Sequence, residues 1–156
     1  MKFKVIFIIV PSFSKSDWLN RKMMEITTCF IKQLSMDKYD VEIVSCYEEI
    51  NKFKDKADLL VVSTAGNVIV DRDHLLEMIE NFPEDVGVMG HIIQHDHDIL
   101  PYLHEQFFII NTRAVGSIDL REQEDYGFFL QRSQEDMHDG HAPLYVTLSE
   151  DRVKTM

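Results

Sequence analysis

The residues between positions 91 and 104 combine imidazoles and carboxylates at close spacing. The members of this histidine and aspartate cluster are His91, His95, Asp96, His97, Asp98 and His104. Imidazole and carboxylate ligands together suit Zn, Mn or Fe, and a His-x-His pair can place both rings on one side of an extended segment. Because no HExxH or facial-triad spacing accompanies them, three interpretations stay open: a metal site, a polar surface loop, or hydrogen bonding to a substrate.

A second group of ionisable residues lies later in the sequence, and it contains Glu135, Asp136, His138, Asp139 and His141. A carboxylate whose pKa is raised by like-charged neighbours can act as a general base near neutral pH, and an adjacent His can relay the proton. The same segment contains an Asp-Gly dipeptide, which is common in turns. The pattern therefore favours either a catalytic base or a solvated turn.

A third group consists of the small polar residues Ser63-Thr64-Ala65-Gly66-Asn67, which follow an apolar run. In an open α/β sheet, ligands bind beyond the carboxyl ends of the strands, where small side chains let them approach the backbone. These hydroxyl, amide and N–H groups can hold phosphate or sugar oxygens. The segment matches neither a P-loop nor a GxGxxG fingerprint, so a plain strand-to-helix turn is the alternative.

Continuous apolar runs without alternation predict strands that are covered on both faces in a mostly parallel sheet. The predicted strands are residues 5–10, 41–44, 59–62, 86–90, 106–111 and 144–147, the last at an edge. Residues 94–105 are predicted to be a polar connection, and residues 126–130 fit either a strand or a helix. Strands that alternate with helices predict a layered α/β fold.

Helical periodicity follows the first strand, and Ser16 or Asp17 is the predicted cap. The apolar stripe expected to face the sheet consists of Leu19, Met23, Ile26, Phe30, Ile31 and Leu34. Further helices are predicted at residues 47–54 and 71–82, with another at residues 114–123 if Gly116 is tolerated there.

The composition excludes several classes of function. The chain has 156 residues, and its 27 acidic and 16 basic residues give a net charge of −11 with His neutral. Such a chain would be repelled by a nucleic-acid backbone or an anionic membrane surface. We therefore expect one α/β domain over residues 1–156 that binds neither nucleic acid nor membrane.

Several features favour a cytoplasmic location. Residues 5–10 form an apolar run too short for a signal peptide, and no small-x-small cleavage site follows. No run approaches the roughly 20 apolar residues of a membrane-spanning helix. Cys29 and Cys46 have no CxxC partner, which argues against a disulfide framework.

The order of several segments resembles that of one enzyme family. Residues 5–19, VIFIIVPSFSKSDWL, combine a hydrophobic strand, a Pro-containing turn and the start of an amphipathic helix. Residues 57–70, 86–93 and 106–114 are similar to the later strands of that order, and the Glu135-Asp136 pair follows. This order resembles the GT-A type of nucleotide-diphospho-sugar glycosyltransferases, and it implies a layered, Rossmann-like and GT-A-like α/β fold with a mostly parallel central sheet.

The resemblance implies a small glycosyltransferase-like protein that binds a sugar nucleotide or a related phosphorylated ligand at the carboxyl edge of the sheet. The implied substrate-binding residues are Pro11, Ser12, Thr64, Asn67, His91 and His104, and Glu135 or Asp136 would deprotonate the acceptor hydroxyl. The family's Asp-x-Asp signature is absent from residues 63–67. A divalent Mn or Mg ion would instead be held by Asp71, Asp73, His95 or His97.

Two other functions remain open at this point. The first is a non-catalytic binding or assembly module that associates with itself or with a protein partner. The second is a metal-dependent hydrolase built on the histidine and aspartate cluster.

Overall fold

Strands and helices alternate along the chain in the computed structural model, which describes residues 2–12, 16–35, 38–93, 102–115, 117–118, 128–131, 144–147 and 153–155. The first elements are β1 (Val5–Val10), α1 (Asp17–Ser35), β2 (Asp40–Ile43), a 3-10 helix (Tyr47–Phe53), β3 (Leu59–Thr64) and α2 (Arg72–Glu80). They are followed by β4 (Val88–Ile93), β5 (Tyr102–Asn111), β6 (Ser117–Ile118), β7 (Phe128–Gln131), β8 (Leu144–Thr147) and β9 (Val153–Thr155).

The central sheet is mixed, with strand order β2-β1-β3-β5-β4. Strand β1 pairs in parallel with both β2 and β3. Strand β5 is antiparallel to both of its central neighbours, β3 and β4. Four of the five central strands therefore run in one direction, and β5 is the exception. The α/β class is confirmed, and the sheet is parallel on the side of β1.

Both faces of the sheet carry a hydrophobic core, as the unbroken apolar runs predict. On one face, Ile31 of α1 and Leu75 and Ile79 of α2 pack on alternate residues of β1 and β3. On the other face, Tyr47 and Ile50 of the 3-10 helix pack on the intervening strand residues. The sheet is thus enclosed between the two α-helices and the 3-10 helix.

The orientation of α1 differs from the prediction. Ile31 is buried as expected, but Leu19, Ile26 and Phe30 are exposed, and Thr27 is buried in their place. The helix is rotated so that its apolar stripe lies beside the sheet and does not face it. On the face that α1 turns to the sheet, Ile31 packs in the core and the buried Thr27 hydroxyl accepts from the backbone N–H of Gly66.

Three other predictions are corrected and one open assignment is completed. Strand β5 begins at Tyr102, so the end of the predicted polar connection belongs to a strand. Residues 117–118 form β6 within the segment predicted as a helix. Strand β8 lies between β7 and β6 and is not at an edge. The ambiguous segment near residue 128 is a strand, β7.

The amino edge of the sheet is held together by Asp58. Its carboxylate accepts from the backbone N–H of Lys4 at 2.7 Å and from Nε of Arg113 at 2.7 Å. Burial alone would raise the pKa of Asp58, but these two hydrogen bonds and the guanidinium charge lower it overall. The hydrogen bonds of Asp58 therefore connect the segment before β1, the segment before β3 and the end of β5.

Neither described α-helix is both long enough and apolar enough to cross a bilayer. Cys29 and Cys46 are both free thiols.

Candidate functional site

The carboxyl ends of β1 and β3 lie side by side. Their last residues, Val10 and Thr64, are register partners, and the N–H of Ala65 donates to the carbonyl of Val10 at 2.7 Å. Because β5 is antiparallel to them, its first half reaches the same edge of the sheet. The polar residues that follow β1 and β3 therefore meet the start of β5.

The turn after β3 is anchored on α1. Gly66 has a φ of 99°, in the left-handed region that glycine adopts without steric cost. Its N–H donates to Thr27 Oγ1 at 2.8 Å, and the Thr27 hydroxyl donates to the carbonyl of Asn67 at 3.4 Å. A Cβ on Gly66 would lie 3.0 Å from Sδ of Met23. The backbone on both sides of the Gly66–Asn67 bond is therefore fixed by the middle of α1.

Asn67 connects this turn to β5. Its Nδ2 donates to Ser63 Oγ at 3.4 Å and to the backbone carbonyl of Gln106. Since an amide nitrogen carries two hydrogens, these bonds use its donor capacity. The part of the Asn67 side chain left to meet a ligand is the acceptor oxygen.

A cleft of about 380 Å³ opens beside Asn67, between the turn, α2 and β5. Its wall is formed by the side chains of Leu75, Met78 and Phe107, and polar groups of Asn67, Asp71, His74 and Gln106 also line it. An apolar wall with a few polar groups is the usual composition of a small-molecule site, and the volume lies at the lower end of the range for such sites.

The start of α2 contributes two of these polar residues. Asp71 is the N-cap, and its Oδ1 accepts from the backbone N–H of His74 at 3.0 Å. This bond satisfies one of the amides that have no partner within the helix. It also holds the Asp71 carboxylate and the start of the His74 side chain next to the cleft.

A second opening lies at the end of β1. It has a volume of about 660 Å³ and is lined by Pro11 together with Asp17, Asn20, Arg21, Met24 and Glu25 of α1. Ser12 follows Pro11 and is half-buried. This opening brings a guanidinium and two carboxylates to the same edge of the sheet.

Thr64 lies on the other face of the sheet from the Asn67 cleft. Its hydroxyl is 2.6 Å from that of Tyr47, whose ring belongs to the core beneath the 3-10 helix. Thr64 is buried. The structure therefore places Thr64 and Asn67, both predicted to contact one ligand, on opposite sides of β3.

The remaining predicted residues are placed only in part. The described backbone puts His91 on β4 and His104 on β5, in the region where these strands pair beyond the end of β3. Glu135, Asp136, His95 and His97 lie outside the described residues.

Among the described residues there is no group of three or more His, Cys, Asp or Glu side chains that could hold a metal ion. Asp71 and Asp73 are both exposed at the start of α2, and Asp71 uses one oxygen on the helix cap. A divalent ion held by these residues with His95 or His97 therefore stays a prediction.

The sequence did not identify three of the residues that line the cleft, namely His74, Gln106 and Phe107. His74 and Gln106 carry no local motif, because they approach each other only when α2 and β5 pack on the same face. Phe107 belongs to the strand predicted at residues 106–111 to be covered on both faces, but it is half-buried and forms the cleft wall, whereas Phe108 is buried. The alternation of a strand places neighbouring residues on opposite faces, and it would have separated these two phenylalanines.

We compared the chain with protein-family models, curated proteins and solved structures. None of them matches. The glycosyltransferase resemblance therefore stays a prediction, and the function has to be argued from the site.

Proposed function

We propose that this protein binds a sugar nucleotide or a related phosphorylated ligand at the carboxyl edge of its sheet. In this proposal, the glycosyl ring lies in the cleft between Asn67 and Phe107. The observation that carries the proposal is the hydrogen bond from Asn67 Nδ2 to the carbonyl of Gln106, because it joins the β3 turn to β5 and so builds the cleft.

The chemistry of the cleft supports a ring that carries hydroxyl groups. Phe107, Leu75 and Met78 offer an apolar surface to one face of such a ring. The oxygens of Asn67 and Asp71 can accept hydrogen bonds from sugar hydroxyls. A ligand that lacked hydroxyls would form neither of these hydrogen bonds.

We assign the phosphate groups to the second opening, at the end of β1. Arg21 lines that opening, and a guanidinium binds phosphate oxygens through two parallel N–H bonds. Asp17 and Glu25 line the same opening, so its formal net charge with Arg21 is −1, and phosphate binding would depend on the guanidinium of Arg21. Glycosyl transfer would further need Glu135 or Asp136 as a base, so the proposal is confined to binding.

The test is thermal unfolding in the presence of nucleotide diphosphate sugars, the free nucleotides and free monosaccharides, each with and without Mn²⁺. A ligand present at about 100 times its Kd adds about 2.7 kcal/mol of stability. We expect at least one nucleotide sugar to stabilise the protein more than its nucleotide or its sugar alone.

The matched variants are His74→Ala and Glu77→Ala. His74 lines the cleft, whereas Glu77 is exposed on the same helix and is not among the cleft residues. We expect His74→Ala to weaken ligand affinity by about tenfold, the loss of one hydrogen bond, while Glu77→Ala leaves it unchanged. Stabilisation by none of the ligands, or equal stabilisation of both variants, would contradict the proposal.

A second function, assembly through protein contacts, is favoured by a different observation. Large apolar side chains of α1 are exposed on a face that covers no part of the sheet. Assembly through this face of α1 would not require a ligand in the cleft.

A further inference from the structure

The exposed apolar side chains of α1 form one stripe. Leu19, Ile26 and Phe30 are 41%, 48% and 42% exposed, and the half-buried Met23 lies among them. The spacing of these four residues is four, three and four positions. This is the spacing of a heptad seam, in which apolar residues face another helix.

The stripe continues onto the turn after β3. Met23 contacts Gly66, and Thr27 bonds to Gly66 and Asn67, so the turn runs alongside α1. Val68 and Val70 follow on this turn and are 50% and 95% exposed. We define the α1 patch as Leu19, Met23, Ile26, Phe30, Val68 and Val70.

We propose that the α1 patch is a homodimer interface, in which the α1 helices of two copies pack antiparallel about a twofold axis between residues 24 and 25. In this register Leu19 faces Phe30 of the second copy, and Met23 faces Ile26. Each contact occurs twice, as a twofold interface requires. The stripe is therefore complementary to itself.

Lys22 borders the stripe, and it forms an ion pair with Glu25 of the same helix at 3.0 Å. The lysine charge at the rim of the interface is therefore compensated within each copy.

The exposed area is sufficient for a weak dimer. The six residues of the α1 patch offer about 500 Å² of apolar surface per copy. Two copies would bury about 1,000 Å², close to the minimum for a specific interface. The dimer is therefore expected to dissociate at micromolar concentrations.

The experiment is sedimentation equilibrium of the full chain from about 1 to 500 μM, with Ile26→Glu and Ile43→Glu as matched variants. Both positions are exposed isoleucines, but Ile43 lies on β2, outside the α1 patch. We expect the wild type and Ile43→Glu to approach the dimer mass, and Ile26→Glu to associate at least about tenfold more weakly, because dimerisation would bury its charge.

Three results would overturn the inference. A wild type that stays monomeric over the whole range has no such interface. If both variants dimerise like the wild type, or if both lose dimerisation, the interface is not the α1 patch.

Cys29 tests the direction of the helices. In the antiparallel register, the two Cys29 residues are about 14 Å apart along the helix axis, too far for a disulfide. If the two α1 helices packed parallel instead, the two Cys29 residues would lie at the same position along the helix axis. Oxidation of a Cys46→Ser dimer should therefore leave the chains uncrosslinked, and a Cys29 disulfide would contradict the antiparallel register.

Discussion

The hydroxyl of Thr27 accepts a hydrogen bond from the backbone N–H of Gly66 at 2.8 Å, and it does so while almost fully buried. The bond connects the middle of α1 to the turn that carries Asn67. It explains why a threonine occupies a position on the helix face toward the sheet. The contact thus positions the turn that forms one side of the cleft.

Thr27→Val should destabilise the protein by about 1–3 kcal/mol. Valine has the same shape, but it leaves the Gly66 N–H without its acceptor in a part-buried place. Urea unfolding gives the free-energy difference. The control is Thr28→Val, one position along the helix and half-buried, which should change stability by much less. Equal effects of the two substitutions would show that the bond does not anchor the turn.

Gly66→Ala should cost about 1–2 kcal/mol, because an L side chain is strained at a φ of 99°. The new Cβ also meets Sδ of Met23, the movable end of a flexible side chain. We therefore expect most of the cost to persist when Gly66→Ala is measured in a Met23→Ala background by urea unfolding. A cost that disappears in that background would assign the effect to crowding instead of backbone strain.

Asp58→Asn should lower stability by about 1–3 kcal/mol at neutral pH, since the charged acceptor of the Lys4 N–H and of Arg113 is lost. The pKa of Asp58 in the folded protein lies below its ordinary value of 3.8. Its contribution is therefore fully present above about pH 4 and is lost as the pH falls through the folded pKa.

The measurement is urea unfolding of the wild type and Asp58→Asn across this pH range. The difference between them should be constant from pH 5 to 7 and shrink at lower pH. Asp55→Asn, an exposed carboxylate three positions earlier, is the control and should show little difference at any pH. If the difference in free energy of unfolding between the wild type and Asp58→Asn does not decrease at low pH, this role for Asp58 is ruled out.

Tyr47→Phe and Thr64→Val should each lower stability by about 1 kcal/mol, and the double variant should cost less than the sum of the two. The reason is that both remove the 2.6 Å contact between the two hydroxyls. Because this contact lies across the sheet from the cleft, neither substitution should alter the ligand-induced rise in Tm. A Thr64→Val protein that folds but shows no ligand-induced rise in Tm would indicate that Thr64 contributes to ligand binding.

The sequence by itself determined the α/β class and the order of the main elements. The apolar runs at β1 and β3 are buried on both faces, as their lack of alternation predicts. Helix α2 also lies within its predicted range and places Leu75 and Ile79 inward. These features are local, because each depends on the periodicity of one segment.

The tertiary structure decided how these elements are rotated and paired. The apolar residues of α1 fit two adjacent faces of a helix, and the face that carries Thr27 and Ile31 is the one that meets both the core and the turn at Gly66. The direction of β5 and its length beyond β3 likewise depend on pairing with distant strands. The cleft between Asn67 and Phe107 exists because the turn after β3 and the start of β5, which are 39 residues apart in the chain, are joined by the hydrogen bond from Asn67 to Gln106. No local pattern encodes such a contact, since its free energy appears only when both strands are already packed on the same core.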